Sequence, residues 1–223
     1  TDEEREAISI CAANRVPFGI TPYYLSLMDR DPSRKWDHAV RAQVIPPLSY
    51  VRAILRSRSD PTTTLDFMME GQTSPVDLVT RRYPMIAIFK PYNTCAQICV
   101  YCQRNWEIEG VLSEDAMAPK EKIEAALRWF EEHPAVTEVL ITGGDPAMLP
   151  NTQLRQVLGR LADIPHIKRL RLGTRVPVVL PMRFDTGFLD ALSEVHDPPG
   201  RELALVTHFE HSYEITPEAA AAI

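Results

Sequence analysis

Apolar, strand-like runs alternate with helical stretches in the chain beyond residue 80. Strands are predicted over residues 86–90, 136–142, 167–173 and 203–207, and helices over 120–133, 152–161 and 185–194, with a further helix starting at Thr216. Short strands that are apolar on both faces and are joined by helices form a parallel sheet with the helices packed outside it. The spacing therefore predicts α/β architecture.

Residues 1–80 have a different character, because prolines such as Pro17, Pro22 and Pro46 interrupt short amphipathic stretches. Proline fits neither the interior of a helix nor a central strand. We therefore expect a helical, loop-rich lobe over residues 1–80 and a second domain over residues 81–223.

Polar residues follow each predicted strand, at the edge where a parallel sheet gathers its ligands. They form the cysteine segment 94–106, Thr142-Gly143-Gly144-Asp145, Gly173-Thr174-Arg175 and Thr207-His208-Phe209-Glu210-His211. The two glycines would let the backbone approach a ligand, and Asp145 would offer a carboxylate to an amine. Alternatively, the glycines serve only a tight turn. His208 and His211 could bind a metal, but hydrogen bonding around a ligand is the favoured interpretation.

Cys95, Cys99 and Cys102 form a Cys-x3-Cys-x2-Cys run. Three thiolates on one loop suit the irons of a [4Fe–4S] cluster and leave the fourth iron open to a substrate or cofactor. The alternatives are a zinc site completed by a histidine, and three unrelated buried thiols. Zinc is disfavoured because no second cysteine pair follows downstream. Cys11, far from the other three, is predicted to be a small core residue.

The charge and the hydropathy pattern limit the partners and the compartment that are expected. The net charge of −6 disfavours a nucleic-acid partner, which would need a basic face. No apolar run long enough to span a membrane and no charged-then-apolar leader is visible, so we expect neither a membrane partner nor a signal peptide. Thiolates kept free to bind iron indicate a reducing compartment, so the cytoplasm is expected.

Several motifs together resemble the radical S-adenosylmethionine (SAM) superfamily and, within it, the lysine 2,3-aminomutase family. The resemblance is carried by the cysteine run, with Tyr101 before its third cysteine, and by residues 20–24, 73–76, 82–84, 143–145, 175–181 and 207–209. It implies a (β/α)6 barrel, of which four strands are accounted for here. The expected fold is thus a partial radical SAM barrel, truncated after the fourth strand, with an N-terminal helical lobe.

The resemblance also implies which residues bind the cofactors. The three cysteines would hold the cluster, and its open iron would be chelated by the amino and carboxylate groups of SAM, which on reduction releases a 5′-deoxyadenosyl radical. Tyr101 would lie near the adenine, and the 143–145 turn near the amino group of the methionine. Thr174 and His208 are also expected among the cofactor-binding residues.

In the aminomutases of this family, pyridoxal phosphate (PLP) carries the migrating amino group. Arg82 and Tyr83 occupy the positions that contact its phosphate, and Arg104 the position that holds the carboxylate of the amino acid; a planar guanidinium suits both tasks. Relatives continue with further arginines where this chain has Asn105 and Trp106, so neighbouring contacts are expected to differ. The PLP-bearing lysine of the family lies beyond the last residue of this chain.

The sequence thus predicts a radical SAM isomerase. Its expected reaction is a PLP-dependent 2,3-aminomutation of a small-molecule α-amino acid, with lysine as the default substrate. A reductant such as flavodoxin or ferredoxin is expected to supply the electron. Assembly into a homo-oligomer is left open. The alternatives are a radical SAM enzyme that acts on a protein lysine or lacks PLP, and a non-catalytic metal-binding module.

Overall fold

The computed structural model describes residues 1–31, 36–60, 62–104, 107–108 and 110–223, so Asn105 and Trp106 lie outside the described residues. The strands are β1 Val79–Thr80, β2 Ile86–Tyr92, β3 Glu138–Gly143, β4 Arg169–Gly173 and β5 Glu202–Val206. The helices are α1 Asp2–Ala13, α2 Pro22–Ser26, α3 His38–Ala42, α4 Leu48–Ser59, α5 Lys120–Glu131, α6 Asn151–Ala162, α7 Val176–Val179, α8 Thr186–Ser193 and α9 Pro217–Ala221.

The strands form one sheet in the order β1-β2-β3-β4-β5. The pairs β2–β3, β3–β4 and β4–β5 are parallel, and β1 pairs antiparallel with the outer side of β2. Helices follow β2, β3 and β4, so the four predicted strands and the α/β architecture are confirmed, in agreement with a partial radical SAM barrel. The two-residue strand β1 was not predicted. It lies just before the expected boundary at residue 80, and that boundary stays a prediction.

Strand β2 continues two residues further than its predicted end at Lys90. Pro91 lacks a backbone N–H, and a proline inside a strand is tolerated at an edge or a bulge. Phe89 is opposite Ile141 and Tyr92 is opposite Gly143, so β2 advances by one residue more than β3 between these pairs. This bulge carries the chain over the end of β3 and into the cysteine loop.

The two faces of the sheet have different neighbours. Val139, Ile141, Leu170 and Leu172 are fully buried in a cluster that also contains side chains of α5, α6 and α8. Residues on the opposite face, such as Leu140, line a cleft. The helices therefore pack on one face, as expected from the strand–helix alternation, and leave the other for ligands.

The N-terminal helices form two smaller cores. In one, Tyr24 and Val40 pack with Ala96 of the cysteine loop and with Val178 of α7. In the other, α1 and α4 bury Cys11, which confirms it as a core residue. Among the described helices, none combines the length and the apolar composition that a membrane span requires.

Candidate functional site

A cleft of about 440 Å³ opens at the carboxyl ends of strands β2 to β5. Most of the site residues predicted from the sequence line it: Cys95, Cys99, Tyr101, Cys102, Gly143, Gly144, Asp145, Thr174 and His208. Segments far apart in the sequence thus meet at one edge of the sheet, as parallel topology requires. The three described residues that were predicted but lie outside this lining are Arg82, Tyr83 and Arg104.

The cysteine loop is held on both sides by backbone hydrogen bonds to the N-terminal lobe. The N–H of Ile98 donates to the carbonyl of Gly19 at 3.0 Å, and that of Val100 to the carbonyl of Gln43 at 2.7 Å. Within the loop, the N–H of Cys102 donates to the carbonyl of Cys99 at 3.1 Å. The sulfur positions are therefore set by two parts of the chain.

Burial favours the protonated form of two of the three cysteines. Burial raises the pKa of the Cys95 thiol, and the negative charge of Asp145 adds to the effect. Burial also raises the pKa of Cys102, although the backbone N–H of Arg104, 3.4 Å from its sulfur, opposes this. Iron is bound by the thiolate form, so cluster binding must displace these protons, and three cysteine sulfurs on one loop are the donors that a [4Fe–4S] cluster takes. The donor set therefore fits a [4Fe–4S] cluster.

A site for one metal ion and a site for a cluster need different arrangements of ligands. Within the described residues, no three histidine, cysteine, aspartate or glutamate side chains converge on a point that a single metal ion could occupy. A [4Fe–4S] cluster makes a different demand, because each thiolate binds its own iron. All three cysteines are free of disulfides and partly accessible from the cleft.

Gly143 and Gly144 are explained by a close approach of the chain to itself. Gly143 has φ +113°, and a Cβ atom there would lie 2.8 Å from the carbonyl oxygen of Tyr92. A Cβ atom on Gly144 would lie 2.3 Å from the carbonyl oxygen of Thr94. The N–H groups of Gly144 and Asp145 donate to these same two carbonyls, at 2.6 and 2.9 Å. The glycines thus allow the β3 turn to support the residue before Cys95, and their contact with a ligand stays a prediction.

Asp145 links the turn after β3 to the turn after β4. Its Oδ2 accepts the backbone N–H of Arg175 at 2.8 Å, and its Oδ1 accepts that of Ala147 at 3.1 Å. Burial raises the pKa of this carboxyl, and a hydrogen bond from the Thr174 side chain opposes the rise. The proposed contact with an amino group would join these existing hydrogen bonds, since each carboxylate oxygen accepts more than one donor.

Tyr101 and His208 are hydrogen-bonded to each other across the mouth of the cleft, with 2.8 Å between Oη and Nε2. Burial raises the pKa of Tyr101, and the charge of a Cys99 thiolate adds to this, so the phenol stays protonated. His211 accepts the backbone N–H of Tyr213 and caps the following turn. Both histidines therefore make hydrogen bonds within the protein, and their contact with a ligand stays a prediction.

Arg175 lines the cleft but was not predicted as a site residue. Its Nη1 lies 3.2 Å from the sulfur of Cys99, while its Nη2 donates to Gln43 Oε1 at 2.9 Å and to Glu214 Oε1 at 2.5 Å. The Tyr24 hydroxyl donates to the same oxygen of Glu214 at 2.5 Å. The sequence does show an arginine just after the end of β4. It does not show the partners of this arginine, because they lie far away in the sequence.

Arg104 is buried and pairs with Glu70, which lines a second cleft of about 450 Å³ that shares Gly143 with the first. Its Nε and Nη2 donate to Glu70 Oε1 at 2.9 and 2.8 Å, and Lys90 Nζ donates to the other oxygen of Glu70 at 3.1 Å. Burial opposes ionisation of Glu70, but these cations outweigh it and lower its pKa. Glu107 also lines this cleft and accepts from Lys90 at 3.3 Å.

Arg82 and Tyr83 lie on the surface after β1. Arg82 donates to the Thr73 hydroxyl at 3.3 Å and to the carbonyl of Met68. Tyr83 is exposed. The structure therefore places these two residues apart from the cysteine cleft, and their contact with a phosphate stays a prediction.

Comparisons with known proteins give matches to one family model and to several single proteins. Residues 89–204 match the family model of the Radical SAM superfamily. The chain is similar over its whole length to an uncharacterized KamA family protein of Methanocaldococcus jannaschii, with 47% identity over 35% of that protein. It is also similar to the L-lysine 2,3-aminomutase of Clostridium subterminale, with 34% identity over 49% of that protein, and to the glutamate 2,3-aminomutase of Clostridioides difficile, with 32% identity over 48%.

The chain spans between about a third and a half of the length of these relatives. The matched segment begins in β2 and ends in β5, and it includes the cysteine loop, the Gly143-Gly144-Asp145 turn and Thr174. The cleft is therefore built almost entirely from the part of the chain that the family shares. The chain belongs to the radical SAM superfamily, among the homologues of KamA and lysine 2,3-aminomutase.

Proposed function

We propose that the full-length protein catalyses a PLP-dependent 2,3-aminomutation of a free α-amino acid, with lysine as the first substrate to test. The observation that carries this proposal is the cleft in which Cys95, Cys99 and Cys102 meet Gly143 and Asp145. When bound, the cluster supplies the electron that cleaves SAM, and PLP supplies the group that carries the amino nitrogen. The electron would come from a reductant such as flavodoxin or ferredoxin, and the reducing cytoplasm would keep the thiols free.

Residues of the chain would share the binding and orienting tasks. The three cysteines bind iron, while Asp145 and Thr174 hold the turn that receives the methionine part of SAM. Tyr101 and His208 cover the adenine side of the cleft. The Tyr101–His208 hydrogen bond holds the two side chains together on that side.

Arg104 would hold the carboxylate of the amino acid. Support comes from its position two residues after the third cysteine, and two hydrogen bonds fix its guanidinium plane against Glu70, which lines the second cleft. A fixed guanidinium places a carboxylate with little loss of conformational freedom. Arg82 and Tyr83 would take the phosphate of PLP, because they occupy the positions that contact it in the aminomutases that the chain resembles, and both are exposed.

The test uses anaerobically purified full-length protein supplied with SAM, PLP, dithionite and either lysine or glutamate. Formation of 5′-deoxyadenosine and of the β-amino acid is measured by mass spectrometry. In Arg104→Lys, turnover should fall about tenfold or more, because a lost charge-assisted contact is worth about 1.5–3 kcal/mol. Arg155→Lys, at an exposed ion pair with Glu194, is the matched control and should retain full turnover.

The outcomes separate the proposal from its alternatives. Absence of PLP absorbance in the purified protein would replace it with a PLP-free radical reaction. Unimpaired amino-acid turnover in Arg104→Lys would remove this arginine from the site. Cleavage of SAM without conversion of any free amino acid would favour a protein lysine as the substrate.

A further inference from the structure

We propose that Arg175 is a positioning residue for the iron–sulfur cluster. Arg175 donates a hydrogen bond to the Cys99 thiolate and, together with Glu214, sets the reduction potential of the cluster. This inference rests on the proposed binding of a cluster by the three cysteines. It goes further by assigning an electrostatic role to residues that no cysteine motif contains. The role concerns how readily the cluster accepts an electron.

The contact between Arg175 and Cys99 is specific. Nη1 of Arg175 lies 3.2 Å from Sγ of Cys99, within the range of a hydrogen bond to sulfur, and Arg175 is 7% exposed. Arginine keeps its positive charge in proteins, and the buried carboxylate of Glu214 lies 2.5 Å from Nη2 of Arg175. The guanidinium is therefore a permanent donor beside one of the three sulfurs.

The orientation of Arg175 is fixed by three other parts of the fold. Nη2 donates to Glu214, which is fully buried, and to Gln43 of the N-terminal lobe. The guanidinium also lies over the rings of Tyr24 and Tyr101, 5.7 and 5.5 Å from their centres. An arginine held in this way cannot swing away from the sulfur without breaking a buried ion pair, which is strongly unfavourable.

The physical consequence follows from the charge of the reduced cluster. Reduction adds one negative charge, which is spread over the iron and sulfur atoms. A donor and a positive charge next to Cys99 stabilise the reduced form more than the oxidised form, and so raise the potential. Glu214 acts in the opposite direction, because its negative charge offsets that of Arg175. The two residues should therefore shift the potential with opposite signs.

The experiment measures the reduction potential of the reconstituted full-length holoenzyme by EPR-monitored redox titration, without added substrate. Arg175→Met removes the charge and the donor, Arg175→Lys keeps the charge but not the fork, and Glu214→Gln removes the opposing carboxylate. Arg169→Met, at the other end of β4 in an exposed ion pair, is the matched control. Iron and sulfide contents are measured for every variant.

Arg175→Met should disfavour reduction by about tenfold, which is about 59 mV for a one-electron couple. Arg175→Lys should show a smaller shift in the same direction, Glu214→Gln a shift towards a higher potential, and Arg169→Met no shift. ENDOR spectra of the reduced cluster in H2O and D2O should show an exchangeable proton that Arg175→Met lacks.

Unchanged potentials, or shifts of the same sign in Arg175→Met and Glu214→Gln, would overturn the inference. If every Arg175 variant fails to take up iron, the residue is needed for assembly and the tuning role is also refuted. Absence of a cluster in the wild-type protein would instead refute the proposed function, so the two failures are distinguishable.

Discussion

Replacing Gly144 by alanine tests whether the β3 turn supports the cysteine loop. The new Cβ atom would lie 2.3 Å from the carbonyl oxygen of Thr94 and 2.5 Å from its nitrogen. Both are backbone atoms, and Cβ contacts under 3.0 Å are essentially never observed. Thr94 would therefore have to move by at least about 0.7 Å, and Cys95 would move with it.

The magnitude follows from packing. Forcing one extra methyl group into a closed space costs about 1–3 kcal/mol, which lowers the Tm of a chain of this size by about 2–12 °C. Gly159 is the matched control, because it lies inside α6 and a Cβ atom there meets nothing within 4 Å. Gly159→Ala should stabilise the protein by about 0.5–1 kcal/mol and raise Tm by about 1–4 °C.

The assay combines thermal melting followed by circular dichroism with iron and sulfide analysis after anaerobic reconstitution. Gly144→Ala should melt earlier and bind less iron than the wild-type protein, whereas Gly159→Ala should melt later and bind the same amount. Equal Tm and equal iron content in the two variants would refute the idea that Gly144 is required by the approach of Thr94.

Two further predictions concern the cysteines and Glu70. Cys99→Ala should abolish cluster uptake. Cys11→Ala, in the core between α1 and α4, should leave the iron content unchanged. If both variants bind the same amount of iron, ligation by Cys99 is contradicted. Glu70 has a lowered pKa in the folded protein, so its contribution to stability is complete above the usual glutamate value of about 4.3 and is lost as the pH falls through the folded pKa. Glu70→Gln should lower the free energy of unfolding at pH 7 by about 1.5–3 kcal/mol. It should also weaken the dependence of stability on pH on the acid side, measured by urea unfolding between pH 3 and 7. An unchanged pH profile would show that the pair with Arg104 is not formed.

The elements that could be predicted from the sequence are those that local pattern determines. Strand β3 is an apolar run between helical stretches, and its pairing partners follow from the regular alternation of strands and helices. The cysteines could be identified because their spacing alone suits a cluster. Asp145 and Thr174 could be placed beside them because the carboxyl ends of parallel strands share one edge.

Other features depend on contacts between distant residues. The hydrogen bond from Arg175 to Gln43 spans 132 positions and that to Glu214 spans 39. No local sequence pattern therefore predicts that these three residues come together. Strand β1 has two residues, and it forms because it pairs with the free edge of β2. Strand β2 continues past Pro91 because of a bulge, and this bulge is visible only in the pairing of β2 with β3. Tertiary contacts decide each of these cases.

EPR spectroscopy of the reduced, anaerobically reconstituted full-length protein, with and without SAM, tests the central claim most directly. If Cys95, Cys99 and Cys102 hold a cluster with an open iron in the cleft, the protein should contain about four irons and four sulfides per chain. The spectrum of the reduced cluster should change when SAM is added, and 5′-deoxyadenosine should form. A protein that binds zinc instead, or a cluster signal that SAM leaves unchanged, would contradict the account.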